Sequence, residues 1–113
     1  MHEYGITESV VTAVTERMPG VPIACVRLEI GSLSGVSADS VRFYFGPATE
    51  GTSLEGARLE ISEVSARCRW GSCGQEFEPD GPIPLCPCGS PDAAVLSGGD
   101  MRILSVEKAS APG

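Results

Sequence analysis

The sequence predicts a small α+β domain, a three-stranded sheet with two helices on one face, that carries a cysteine-bearing loop subdomain. Three observations point there. Apolar residues recur with a helical period over 5–18 and with an alternating period over 22–31. Four of the five cysteines crowd into residues 68–88. That cysteine segment has few apolar residues of its own, so it reads as an insert rather than as part of the main core.

In GITESVVTAVTERM, residues 5–18, the residues Ile6, Val10, Ala13, Val14 and Met18 make one apolar stripe. Thr7, Glu8, Thr12, Thr15 and Glu16 fall on the polar side, and Met18-Pro19-Gly20 ends the helix. PIACVRLEIG, residues 22–31, reads as a strand in which Val26, Leu28 and Ile30 alternate with Arg27 and Glu29. Cys25 belongs to that strand and reads as a small buried hydrophobe. After a loop at 31–36, Ser37 is a good N-cap for a second helix, SADSVRFYFGPATEG. Its inner face would hold Val41, Tyr44, Phe45 and Ala48, and Gly46-Pro47 should kink or interrupt it. RLEISEVSAR, residues 58–67, reads as a second strand whose apolar phase shifts from Leu59 and Ile61 to Val64 and Ala66, which suggests a bulge or strong twist. Beyond the cysteines, AAVLSGGD reads as a connection, MRILSVEKA as the last strand and SAPG as a flexible tail. The organisation is then one α/β domain of residues 1–67 with 94–109, a subdomain at 68–93 inserted between two strands that could pair as neighbours, and a tail at 110–113.

A chain of 113 residues makes one domain with a modest core. A net charge of −7 and no cluster of Lys or Arg argue against a nucleic-acid partner. No apolar run approaches the roughly 20 residues of a membrane span, and the start lacks a signal-peptide pattern, so neither a membrane nor export is expected. In the cytoplasm, clustered thiols read more naturally as a metal site than as disulfides. Neither a catalytic-triad motif nor a phosphate loop appears, and an enzyme is not expected.

Cys68 and Cys73 form a C-x4-C pair, and Cys86 and Cys88 a C-x-C pair. Two such pairs brought together make a tetrahedral thiolate cage for zinc, with no open position for catalysis. The stretch between them offers only Phe77, Ile83 and Leu85 as apolar anchors, so the metal would supply folding energy. Disulfides are the alternative. The one-residue gap at Cys86-Pro87-Cys88 requires a sharp bend at Pro87 if both thiolates are to reach one ion.

The only histidine, His2, follows the initiator Met1 and precedes Glu3. The Met1 α-amine, the His2 peptide nitrogen and the His2 imidazole can close five- and six-membered chelate rings on one ion. Square-planar nitrogen donors suit Ni(II) or Cu(II), and Glu3 could add a carboxylate. The bland alternative is an exposed terminus with no role.

MHEYGITESVV, VRLEIGSLSGVSADSVRFYF, the cysteine insert and GGDMRILSVE together resemble the HypA/HybF family, in the right order over almost the whole chain. The resemblance implies a nickel metallochaperone of [NiFe]-hydrogenase maturation. It would take nickel at its N-terminus and deliver it to the hydrogenase large-subunit precursor, acting with a nickel-inserting GTPase. It implies nickel binding through His2 with Glu3 close by, and a structural zinc held by Cys68, Cys73, Cys86 and Cys88. An acidic residue early in the second helix is implicated near nickel in some members, and Asp39 matches it. The family spacings are C-x2-C and C-P-x-C, so this chain has two extra residues in the first pair and one fewer in the second. Two rival readings are a zinc-ribbon interaction module with an inert terminus and a small metalloenzyme using the terminal site.

Overall fold

The computed structural model describes residues 2–79 and 92–109, and of His2 the backbone alone. The order is α1 (His2–Arg17), β1 (Ile23–Gly31), α2 (Ala38–Thr49), β2 (Arg58–Val64), β3 (Arg67–Trp70), β4 (Glu76–Phe77), β5 (Ala93–Ser97) and β6 (Met101–Lys108). They form two three-stranded sheets, β2-β1-β6 and β4-β3-β5. The expected α+β class with two helices and a three-stranded sheet holds. The neighbour relation of the strands does not. β1 is central, parallel to β2 and antiparallel to β6, so the strands on either side of the cysteine segment flank β1 instead of pairing with each other. A parallel β1–β2 pair needs a crossover, and α2 supplies it.

Val26, Leu28 and Ile30 turn toward the helices, as their alternation requires, and meet Val10, Val11 and Val14 of α1, Val41 and Phe45 of α2, and Leu54. α1 begins earlier than the apolar stripe suggests and takes in His2. Thr7, placed by pattern on the polar side, is wholly buried, and its hydroxyl donates to the Glu3 carbonyl at 2.6 Å. Ser37 caps α2 by accepting from the Ser40 N–H at 3.3 Å. Pro47 does not interrupt α2, which runs on to Thr49. The carbonyl that Pro47 deprives of its helical donor belongs to Phe43, a residue 73% exposed, and Thr49 Oγ1 donates to the Gly46 carbonyl.

The apolar phase shift at 64–66 is a change of sheet. β2 ends at Val64, and the chain starts β3 at Arg67. Residues 93–97, expected as a connection, form β5 against β3. All these strand ends converge on Gly31, Ala66 and Gly98. Leu33 N–H donates to the Gly98 carbonyl at 3.0 Å, Gly31 N–H to the Asp100 carbonyl at 3.0 Å and Ser32 N–H to the Val64 carbonyl at 2.9 Å. Ala66 N–H donates to Ser32 Oγ at 2.8 Å. A Cβ on Gly31 would overlap the Gly98 carbonyl, and one on Gly98 would lie 2.5 Å from Ala66 Cα.

The sheet face away from the helices carries ion pairs: Arg27 with Glu60 at 3.0 Å and Glu107 at 3.2 Å, and Arg102 with Glu29 at 2.7 Å. Cys25 alternates with Arg27 and pairs in register with Arg58 and Glu107, so it is buried beneath charged side chains, not among the helix-side apolar residues. The Arg27 hydrogen bond holds the Glu60 carboxyl below the usual range, with the Cys25 thiol a smaller contributor.

Gly98→Ala should destabilise the protein by about 2–4 kcal/mol, since it combines backbone overpacking with a Cβ at positive φ. Thermal unfolding measures this, and an unchanged midpoint would contradict the close approach. Glu60 should titrate below its ordinary value of 4.5. Its stabilisation is complete above that pH and is lost as pH falls through the lowered folded value. NMR titration should find the midpoint returned to the ordinary range in Arg27→Gln.

Candidate metal sites

The first four N–H groups of an α-helix have no acceptor within it. In α1 these belong to His2, Glu3, Tyr4 and Gly5, so the His2 peptide nitrogen lies at the open end of the helix. Glu3 is half-buried in the first turn, where a carboxylate suits the helix dipole and would also suit a cation. Two contacts hold this turn. Thr7 ties back the Glu3 carbonyl, and Tyr4 packs edge-on against Tyr44 of α2 with ring centroids 5.2 Å apart. Pattern reading missed both, because a buried Thr and a half-buried Tyr break the apolar stripe. The spacing of Thr7 four residues after Glu3 was the available signal. Met1 lies outside the described residues.

Asp39 stands in the first turn of α2 and is bonded to Arg42 Nη1 at 2.9 Å. Arg42 reaches Glu63 on β2 at 4.0 Å. Asp39 lies five residues before Tyr44, about 140° around the helix, so the α2 side that meets Tyr4 is not the side carrying Asp39. It lines a polar cleft with Ser32, Ser37 and Glu63 at the ends of β1 and β2. The described contacts bring Tyr4 and Thr7 to the terminal turn and bring Asp39 to Arg42.

Cys68 and Cys73 lie on the β3–β4 hairpin. Cys68 is 2% exposed on β3, paired with Phe77 and Val95, and Cys73 is exposed in the turn. The turn closes with Trp70 N–H donating to the Gln75 carbonyl at 2.9 Å and Gly74 N–H to the Trp70 carbonyl at 2.8 Å. Gly74 takes φ 75°, which glycine adopts without a Cβ penalty. Trp70, three residues before Cys73, opens the turn and stacks on Phe77 at 4.1 Å. Cys68 lies one further β repeat back on the same side of the strand. That is the structural form of the two extra residues in C-x4-C.

Cys86 and Cys88 lie outside the described residues. The chain that carries them returns to the turn at a fixed point, because Gly71 N–H donates to the Asp92 carbonyl at 2.8 Å. Asp92 follows Cys88 by four residues in the sequence. Soft thiolate donors, of which Cys68 lies buried on β3 and Cys73 exposed in the turn, suit zinc, and four of them would hold it with no catalytic position left. Among the described residues alone, no three potential ligands gather.

A helix-covered sheet joined to a smaller cysteine-bearing sheet defines a two-sheet α+β protein. The same fold is found in the "Solution structure of HypA protein", with a TM-score of 0.67, 23% identity, and coverage of 96% of this chain and 97% of that one. It recurs in the "Solution structure of the Ni metallochaperone HypA from Helicobacter pylori", with a TM-score of 0.65, 21% identity, and coverage of 96% and 98%. A family model described as "Hydrogenase/urease nickel incorporation, metallochaperone, hypA" matches residues 1–108. The hydrogenase maturation factor HypA of Nostoc punctiforme is 43% identical over 107 residues, 95% of each chain. That of Geobacter metallireducens is 44% identical over 108 residues, 95% of this chain and 98% of its own. The chain belongs to the HypA family of nickel-incorporation metallochaperones of hydrogenase maturation. No described helix is long and apolar enough to cross a membrane.

Proposed function

We propose that this chain binds Ni(II) at its N-terminus in the cytoplasm and hands it to a hydrogenase large-subunit precursor, acting with a nickel-inserting GTPase and performing no catalysis itself. The observation that carries this reading is the start of α1 at His2. It leaves the His2 peptide nitrogen outside the helical hydrogen-bond ladder, beside the Met1 amine and the one imidazole of the chain. Deprotonation of that nitrogen and the Glu3 carboxylate offset the cation's charge at a helix end that otherwise repels it. A chaperone must release what it binds, and nitrogen and oxygen donors at a chain end meet that need better than a closed thiolate cage. Asp39 enters only through α2, whose Tyr44 holds the terminal turn; its carboxylate would have to leave Arg42 to reach the ion.

Zinc, held by Cys68, Cys73, Cys86 and Cys88, would close the β3–β4 hairpin against the returning chain. The support is the turn at Trp70–Gln75 and the Gly71–Asp92 tether.

Calorimetric titration of Ni(II) should find specific binding in the wild type and none in His2→Ala, with zinc content and folding unchanged. One residue added before Met1 should weaken binding, since the amine leaves the chelate ring. Asp39→Ala should weaken it roughly tenfold, the low end of the range for a group that supports a metal site from outside its ligand set. Equal affinity in wild type, His2→Ala and the extended form would leave a zinc-ribbon interaction module with an inert terminus. Elemental analysis should find one zinc per chain, lost in Cys73→Ser and retained in Cys25→Ser. A zinc-free protein with oxidised cysteine pairs would contradict the zinc assignment.

A further inference from the structure

Among the described residues, Thr7 is the one polar residue of α1 that is wholly buried. It precedes Val10, Val11 and Val14 on the apolar stripe that packs into the core. Valine would fill that place with the same shape and much the same helix propensity. A hydroxyl there adds no packing that a methyl would not, and its burial is costly unless it is hydrogen-bonded. The bond it makes is to the Glu3 carbonyl at 2.6 Å, short for its kind. Helical geometry already gives that carbonyl the Thr7 N–H, so the hydroxyl is a second donor to one acceptor.

The turn so held is weak by composition. Gly5 lies within it without a positive φ, and a Cβ there would meet nothing within 4 Å. Neither backbone conformation nor space calls for glycine, which gives less helical order than alanine. The first N–H groups of the helix lack acceptors as well. Order in this turn therefore rests on the Thr7 hydroxyl and on Tyr4 against Tyr44. Of the two, the hydroxyl acts on Glu3 itself. Rotation about the Glu3 Cα–C bond sets the direction of its carbonyl. Holding the carbonyl thus fixes the Glu3 Cα over the next turn, and with it the stem of the carboxylate and the chain leading back to His2.

We infer that Thr7 is a positioning residue for nickel, setting affinity by ordering Glu3 before the ion arrives. This role rests on nickel being bound at the terminus. Donors already in place bind better, since the entropy of ordering them is lost in folding rather than in binding. The hydroxyl bonds a main-chain carbonyl and no ligand atom, so the ion can leave without breaking the hold.

The experiment compares the full-length wild type with Thr7→Val, which keeps the shape and removes the hydroxyl, and Thr7→Ser, which keeps the hydroxyl and removes a buried methyl. In Ni(II) titrations Thr7→Val should bind roughly threefold to tenfold more weakly, the share of one net hydrogen bond, while its thermal midpoint holds. Thr7→Ser should restore most of that affinity although its midpoint falls. In the metal-free protein the amide heteronuclear NOEs of Glu3 and Tyr4 should drop in Thr7→Val and not in Thr7→Ser. Gly5→Ala added to Thr7→Val should recover affinity, because it favours the same turn by another route. Equal affinity in Thr7→Val and wild type, with none in His2→Ala, would overturn the role of Thr7 and leave the terminal site standing. Equal affinity in His2→Ala and wild type would overturn both. A loss in Thr7→Ser as large as in Thr7→Val would also overturn the role, since packing would then account for it. If Thr7→Val fails to fold, Thr7→Ala set against Thr7→Ser isolates the same hydroxyl.

Discussion

Three backbones pass within contact distance at Gly31, Ala66 and Gly98, and the relation between the two sheets depends on that crossing. β1 ends there, β6 begins beside it, and the chain enters the smaller sheet through Ala66 and leaves it through Gly98. Side chains would hold these segments apart. Gly31 and Gly98 have none, and Ala66 is wholly buried with the smallest that a Cβ allows. The Ser32 hydroxyl then serves the Ala66 N–H, so the close approach leaves that donor satisfied. A cysteine hairpin is thereby fixed to a helix-covered sheet through hydrogen-bonded main chain, with no need of a large apolar interface.

The two proposed metal environments differ in how they are supported. The terminal turn is held by apolar and main-chain contacts, Tyr4 on Tyr44 and Thr7 on Glu3, that need no metal. Among the described residues the cysteine hairpin is held by the Trp70–Phe77 stack, its turn, the pairing of β3 with β5 and the tether at Asp92, with a smaller share of buried apolar residues than the main sheet. A resident ion belongs where the chain lacks a core, and a transient one where the fold stands without it. Ligand softness follows the same division, with nitrogen and oxygen at the terminus and sulfur in the hairpin.

Periodicity made much of the main sheet legible. Val26, Leu28 and Ile30 face the helices as alternation demands, and Ser37 caps α2 as its position suggests. What pattern could not convey was the sheet order. β1 lies between β2 and β6 because two short segments, 65–66 and 98–100, carry the chain out to a second sheet and back. AAVLS has no alternation of burial to reveal β5, since most of that edge strand is exposed on both sides. Thr7 and Pro47 misled because the Thr7 hydroxyl is satisfied by the Glu3 carbonyl within the helix, and the carbonyl that Pro47 leaves without a donor belongs to the exposed Phe43. Of the proposed site residues, His2 and Glu3 stand out in the sequence because a lone histidine beside an amine is chemically unusual. The engagement of Asp39 with Arg42 does not, being a matter of side-chain geometry.

Nickel and zinc are proposed to occupy chemically distinct sites on one chain. X-ray absorption at both metal edges, on protein loaded with one equivalent of nickel after purification with its zinc, tests it most directly. Nitrogen and oxygen neighbours with no sulfur are expected around nickel, and four sulfur neighbours at about 2.3 Å around zinc. Sulfur scattering at the nickel edge, or displacement of zinc as nickel is added, would contradict it.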